Sequence, residues 1–313
     1  MRAYVERVVD DYEPPAHAQV SAKSHSQLGA MTRQFLAFAY GHPSVILAPV
    51  HVATDSQQRV IISDPAGKAV HSLDPRGKTS FRIVSGPDRF LRRPVGVTVD
   101  SSDNIYVADS ERGMVAVFDR NGQFIRLLGS YHGEPEFAAP NDIAFEPKSG
   151  HLYLSDTPRN IVVVMDLEGH ILAQLGRLHN GTGELDFDHP TEICVSQGQV
   201  YVLDRMGTRL HVLYPSGRLV RKFELRASVN AKDKSETGLG VDRQGKIFVS
   251  SGTQSSIKVY SAEGRLLASF GRSGTRVGEF AAPGGLWIDS SDRLYVADSG
   301  NGRVQMFQLK AGP

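Results

Sequence analysis

One pattern recurs six times along this 313-residue chain, and it constrains the fold more than anything else in the sequence. The stretch "RPVGVTVDSSDNIYVADSERGMVAVFDRNGQFIRLLG" (93–129) shares its register with "APGGLWIDSSDRLYVADSGNGRVQMF" (282–307). It also fits "APNDIAFEPKSGHLYLSDTPRNIVVVMDLEGHILAQLG" (139–176) and "HPTEICVSQGQVYVLDRMGTRLHVLYPSGRLVRKF" (189–223). Weaker copies occupy 48–84 and 236–271. The residue closing the second run of each copy is Asp64, Asp109, Asp156, Asp204, Ser251 and Asp298, at steps of 45 to 48 residues. Self-similarity at a fixed period of this length marks a repeat architecture, in which each unit buries its apolar face only against its neighbours.

Within a copy, four short apolar runs such as "GVTVD", "NIYVAD", "MVAVFD" and "FIRLLG" are separated by "SSD", "SERG" and "RNGQ". Ser, Asp, Asn and Gly adopt tight turns cheaply, so the unit reads as four antiparallel strands with no long helix. Six four-stranded sheets arranged radially make an all-β, six-bladed β-propeller, whose ring leaves only short edges. The last copy stops after three strands. "RQFLAFAYG" (33–41) has the character of a fourth strand, so the sequence predicts that Phe35–Tyr40 completes the last blade and closes the ring. The domain limits that follow are an N-terminal tail over 1–32, a propeller over 33–309 and a short tail over 310–313. Within the first tail, "YVERVVDDY" predicts a short amphipathic helix and "EPPAHAQVSAKSHSQ" a linker.

Charge and composition exclude little beyond extremes. A formal net charge of +1 offers no bulk electrostatic grip on nucleic acid. A single cysteine, Cys194, rules out an intrachain disulfide and a cysteine-based metal site. No apolar run is long enough to span a membrane, and the N-terminus lacks the apolar core of a secretory leader. The expectation is a monomeric propeller that is cytoplasmic, or extracytoplasmic if a leader has been removed.

The hairpin "LYVADSGNGRVQMF" (294–307) is similar to the signature of NHL repeats, and "GRSGTRVGEFAAPGGLWID" resembles that family's Gly-rich connector. Its F-x-x-P element recurs at 137–140, 187–190 and 280–283. The resemblance covers about 33–309 and implies the same six-bladed fold. For function it implies several different things: RNA binding, protein interaction, sensing or amidating-lyase chemistry, and, among related propellers, gluconolactonase-like hydrolysis. Fold alone does not choose among them.

The first strand of a propeller blade lines the central channel, so the two residues after each repeat's Pro position are the informative ones. They are Val50 and His51, Val95 and Gly96, Asn141 and Asp142, Thr191 and Glu192, Thr237 and Gly238, and Gly284 and Gly285. His51, Asn141, Asp142 and Glu192 therefore form a candidate metal set, with oxygen donors suited to Ca²⁺ or Mn²⁺ and a histidine that extends the choice to Zn²⁺. The plainer alternative is that these groups cap strand ends and bind channel water. The amidating lyases hold Zn²⁺ with histidines directly after the blade Pro, where this chain has Val50, Val95, Asn141, Thr191 and Gly284, so that chemistry is not expected. Gluconolactonase-like propellers use a Pro-Asn-Asp or Pro-Asn-Gly segment, and "APNDIAF" resembles it with Asn141 in the ligand's place.

Around the mouth, Arg92, Arg93, His189, Thr191, Arg205 and Arg272 form a candidate ligand-binding face. Acidic loops at 133–140 and 183–190 interrupt any phosphate track, and no aromatic residues are interleaved with the arginines, which argues against RNA. The function expected from sequence is thus a non-enzymatic platform for a protein, peptide, glycan or small ligand, with no cofactor. A metal-dependent lactonase or esterase with a divalent ion in the channel is the alternative, and an RNA-binding module the third reading.

Overall fold

The computed structural model describes residues 6–8, 35–37, 46–74, 80–84, 91–132, 134–176, 185–204, 209–225 and 236–309, the first two segments by backbone alone. They form an all-β, six-bladed propeller of mostly four-stranded antiparallel sheets. In blade 2, the strands run Pro94–Val99, Ile105–Asp109, Met114–Phe118 and Phe124–Leu128, from channel to rim. The other innermost strands are His51–Thr54 in blade 1, Pro140–Glu146 in blade 3, Pro190–Ser196 in blade 4, Glu236–Val241 in blade 5 and Pro283–Ile288 in blade 6.

Burial follows from this radial order. Second and third strands lie between two neighbouring blades and are apolar on both faces, as in "IYVAD" and "MVAVF", every residue of which is buried. The fourth strand meets solvent, and Phe124 and Ile125 are exposed there. The core is a ring of six clusters, one at each blade-to-blade interface. That between blades 2 and 3 joins Tyr106, Val115 and Val117 to Ile143, Leu152 and Leu154. The cluster between blades 6 and 1 joins Tyr295, Val304 and Met306 to Val52, Val60 and Ile62. Blade 6 also reaches blade 1 through Trp287, whose Nε1 donates to Thr54 Oγ1 at 2.8 Å.

The carboxylates closing the second strands are the framework's fasteners. Asp109 accepts hydrogen bonds from the amides of Arg92 and Arg93 at 2.6 and 2.9 Å, and Asp156 accepts those of Ala138 and Ala139 at 2.9 and 3.1 Å. Asp64, Asp204 and Asp298 repeat the arrangement for the connectors entering their own blades. Each is fully buried. Burial pushes the Asp64 carboxyl up, but hydrogen bonds from His71 and from the amides of Leu47, Gly67 and Ala48 outweigh it and bring the pKa down to about 2. Arg209 and Arg303 pair with Asp204 and Asp298 at 3.0 and 2.8 Å, so these arginines brace turns.

At the outer side of blade 6, the backbone of Phe35–Ala37 lies antiparallel to Arg303–Gln308, with Leu36 opposite Met306. Glu6–Val8 lies beyond it as a further strand. Of the segment expected to be an amphipathic helix, only these three residues are described, and they are extended. The tails at 310–313 and over most of 1–32 lie outside the described residues, as does Tyr40. No helix among the described residues is long and apolar enough to cross a membrane.

Candidate functional site in the central channel

The inner strands do not enter the sheets regularly. Pairing shifts register between Pro140 and Ile143 in blade 3 and between Pro190 and Glu192 in blade 4, with comparable shifts at Pro94/Val97, Glu236/Gly238 and Pro283/Leu286. A bulge at the start of a strand re-aims the residue beside it. In these five blades that residue is the second after the repeat's Pro position, Gly96, Asp142, Glu192, Gly238 or Gly285, while blade 1, whose inner strand pairs regularly from its first residue, presents His51 in the same layer.

The three side chains of this layer converge. His51 Nε2 is 3.3 Å from Asp142 Oδ1 and 3.7 Å from Glu192 Oε2, and one donor atom from each residue lies within 4.8 Å of the others. They come from blades 1, 3 and 4, so His51 reaches across the channel. All three are buried. The glycines of the same layer leave them room. A Cβ on Gly96 would lie 2.5 Å from Asp142 Cα and 2.7 Å from its Oδ1, and one on Gly285 would lie 2.6 Å from His51 Cδ2. Neither position tolerates even a methyl group without movement of the cluster.

Hydrogen bonds aim the cluster. Asp142 Oδ1 accepts from the amide of Ile143 and Oδ2 from that of Ile193, both at 2.8 Å, so one carboxylate spans blades 3 and 4. The Asp142 amide donates to Ser155 Oγ, which donates in turn to the Thr191 carbonyl. Burial pulls the His51 pKa down, but the charges of Asp142 and Glu192, a hydrogen bond to Asp142 and the Val97 carbonyl outweigh it and raise it to about 9.

One imidazole nitrogen and two carboxylates, buried and within 4.8 Å of one another, fit a divalent cation. With His51 neutral, the two carboxylates would balance a charge of +2, and an ion would stand where the His51 Nε2 proton now faces Asp142. A mixed nitrogen and oxygen set suits Zn²⁺ or Mn²⁺ better than the all-oxygen shell that Ca²⁺ takes.

None of the other described residues singled out from sequence belongs to this cluster. Asn141 donates its amide to the Thr191 carbonyl at 3.1 Å, bracing blades 3 and 4. Thr191 is buried, and its Oγ1 faces the Leu203 carbonyl at 3.4 Å. Arg92 and Arg93 expose their side chains while their amides bind Asp109. Arg272 forms an exposed pair with Glu279 at 2.7 Å. Arg205 lies outside the described residues. His189, exposed at the entry to the inner strand of blade 4, pairs through Nδ1 with Asp188 Oδ1 at 2.9 Å. Asp188 is absent from the set read off the sequence, where it looked like one more acidic loop residue. The adjacent pair Asp-His just before an inner strand was the signal available. Burial pushes the Cys194 thiol up to about 12, and the Asp142 charge adds to this, so its thiolate is disfavoured.

The NHL-repeat family model matches residues 91–118 and 280–307. No curated protein matches the chain in sequence. Among solved structures, a gluconolactonase from Xanthomonas campestris superposes with a TM-score of 0.67 at 18% identity, covering 93% of each chain. A streptogramin B lyase superposes with a TM-score of 0.62 at 12% identity, over 88% of this chain and 97% of its own. A catalytically inactive variant of virginiamycin B lyase from Staphylococcus aureus, solved with quinupristin, gives 0.61 at 12% identity, over 88% and 89%. At these identities the likeness establishes the fold. The expectation of a non-enzymatic binding platform is nevertheless corrected: the solved propellers named here are a gluconolactonase and lyases, and the channel holds a buried group of His51, Asp142 and Glu192 that could hold a metal ion. The sequence reading had grouped His51, Asp142 and Glu192 with Asn141 as a candidate metal set, but ranked the plainer reading of channel-lining groups above it; three of the four converge across three blades. The chain carries NHL repeats and folds as a six-bladed β-propeller.

Proposed function

We propose that this propeller is a divalent-metal-dependent hydrolase of small cyclic esters, acting at the channel mouth. The observation that carries the reading is the convergence of His51, Asp142 and Glu192 on one buried point, in a layer whose other three members are glycine. The structural likeness to a gluconolactonase supports the choice of a lactone as substrate class. His51, Asp142 and Glu192 would hold the ion, which when bound would polarise an ester carbonyl and acidify water. Asp142 is held by the amides of Ile143 and Ile193 and so fixes the cluster against both blades. Gly96 and Gly285 let the backbones of blades 2 and 6 pack directly against Asp142 and His51.

The test is metal content and turnover together. After chelation and reloading with Zn²⁺ or Mn²⁺, the full-length protein is expected to retain one ion per chain and to hydrolyse glucono-δ-lactone. His51→Ala and Glu192→Gln are expected to lose the ion and the activity while keeping the wild-type melting profile. A wild-type protein that retains no ion, or variants that bind and turn over as the wild type does, would overturn the reading.

A further inference from the structure

The three channel groups are committed to one another and buried, so a hydrolysis there needs a proton acceptor with access to water. We infer that the Asp188–His189 pair supplies it, with His189 Nε2 as the catalytic base. This inference rests on the hydrolase reading above.

His189 is placed with unusual care for an exposed residue. Its φ of +61° is a left-handed conformation that side-chain-bearing residues rarely adopt, and the residue before a proline is normally driven to extended backbone. Two hydrogen bonds hold it there. The His189 amide donates to Asn160 Oδ1 at 2.9 Å, and the preceding Asp188 amide is held by both oxygens of Asp204 at 3.0 and 3.1 Å. The same left-handed backbone recurs before Pro283 at Ala282, and Asp298 holds the Ala281 amide there, so the conformation belongs to the repeat; what is particular to blade 4 is that it places a histidine at the entry to the strand that carries Glu192. Glu192 is three positions after His189, a span of at most about 11 Å along the backbone, which a bound lactone and the two side chains can bridge.

The pair has the chemistry of an oriented base. Nδ1 faces Asp188 Oδ1 at 2.9 Å, so with the proton on Nδ1 the opposite nitrogen, Nε2, carries the lone pair. About half of the imidazole is exposed, at 48%, so water reaches it. The remaining described histidines outside the cluster are placed otherwise. His151 opens the second strand of blade 3, at the end of the ring away from the connectors. His71 and His211 are buried against Asp64 and Asp204 inside blades 1 and 4. His170 pairs with Asp166 in a turn between third and fourth strands, at the end of the ring away from the connectors. His132 lies on the connector side but eight residues before its inner strand.

In the step assigned, Nε2 removes a proton from water as the water oxygen bonds to the lactone carbonyl carbon. The ring C–O bond then breaks, and the same proton passes from Nε2 to the departing ring oxygen. One water is consumed, one hydroxy acid is formed, and the imidazole returns to its starting state.

The experiment uses the full-length, metal-loaded protein with glucono-δ-lactone as probe. His189→Gly accepts the positive φ and leaves a gap open to solvent. It is expected to lower kcat on the order of 100-fold or more, with KM and bound metal unchanged. Added imidazole should restore part of the lost rate, which no purely structural role of His189 would produce. Asp188→Asn, which removes the charge and lets an amide N–H face Nδ1 so that the proton moves to Nε2, is expected to lower kcat while leaving metal content intact. An active wild type whose His189→Gly variant keeps its kcat, or loses it without rescue by imidazole, overturns this inference and leaves the hydrolase reading standing. A metal-loaded wild type inert toward the lactone overturns both.

Discussion

Two sets of buried carboxylates sit a few residues apart in this propeller and do opposite things. The strand-closing aspartates, Asp64, Asp109, Asp156, Asp204 and Asp298, recur with the repeat, and each spends its oxygens on backbone amides of the connector entering its blade. The channel carboxylates, Asp142 and Glu192, occupy a position where the repeat has no rule: a histidine in blade 1 and glycine in blades 2, 5 and 6. Where a group follows the repeat, every blade needs it for the same mechanical reason. Where it departs from the repeat, mechanics cannot account for it, and chemistry is the better explanation.

The comparison breaks most completely at the seam of the regular framework. We propose that Phe35–Ala37, antiparallel to Arg303–Gln308, completes the last blade and protects its edge. Deleting residues 1–41 should then abolish the single cooperative melting transition followed by circular dichroism, because an open edge exposes the whole third strand of blade 6. A truncated protein that melts as the full-length chain does would show that the interface between blades 6 and 1 closes the ring unaided.

A smaller effect separates the two carboxylate sets directly. Asp109→Ala removes the acceptor of the Arg92, Arg93 and Arg112 amides from a fully buried site. The cost should be about 3 kcal/mol, a drop in melting temperature of roughly 5–10 °C. Metal content should stay at one ion per chain, because blade 2 presents only Gly96 to the cluster. Glu192→Gln should show the reverse, a lost ion with little change in melting. If calorimetry and metal analysis show both variants losing stability and metal together, the division between framework and site is wrong.

Much of this was legible in the sequence, for a physical reason. A repeat averages over six copies, so the closing aspartates, the alternation of apolar residues and the Gly-rich turns stand out even where one copy is worn, as at Ser251. His51, Asn141, Asp142 and Glu192 were also visible, as departures from the repeat. Two things were not. Convergence depends on His51 crossing from blade 1 to blades 3 and 4, and on bulges that re-aim Asp142 and Glu192, and no spacing along the chain records either. The hold on His189 depends on Asn160, a residue 29 positions away that arrives in the turn of the preceding blade. The extended Glu6–Val8 was missed because its amphipathic pattern suits a helix in isolation, whereas a partner strand decides between the two.

The finest test of the comparison adds one methyl group to the channel layer. Gly96 has ordinary backbone geometry, so Ala there strains nothing by itself; the obstacle is Asp142, whose Cα and Oδ1 would lie 2.5 and 2.7 Å from the new carbon. Blade 2 must move outward or Asp142 must move away from His51. Overpacking of this kind costs about 1–3 kcal/mol, within the range of the Asp109 effect or below it. Its effect on the site should be disproportionate, since the 3.3 Å contact between Asp142 and His51 lies directly behind the added carbon. Gly96→Ala is therefore expected to remain folded, with a modestly lowered melting temperature, and to bind Zn²⁺ or Mn²⁺ at least tenfold more weakly in a competitive chelator titration. Unchanged metal affinity would mean that the glycines of the layer only ease blade packing, and that the half of the channel without side chains is empty for reasons unrelated to the half that has them.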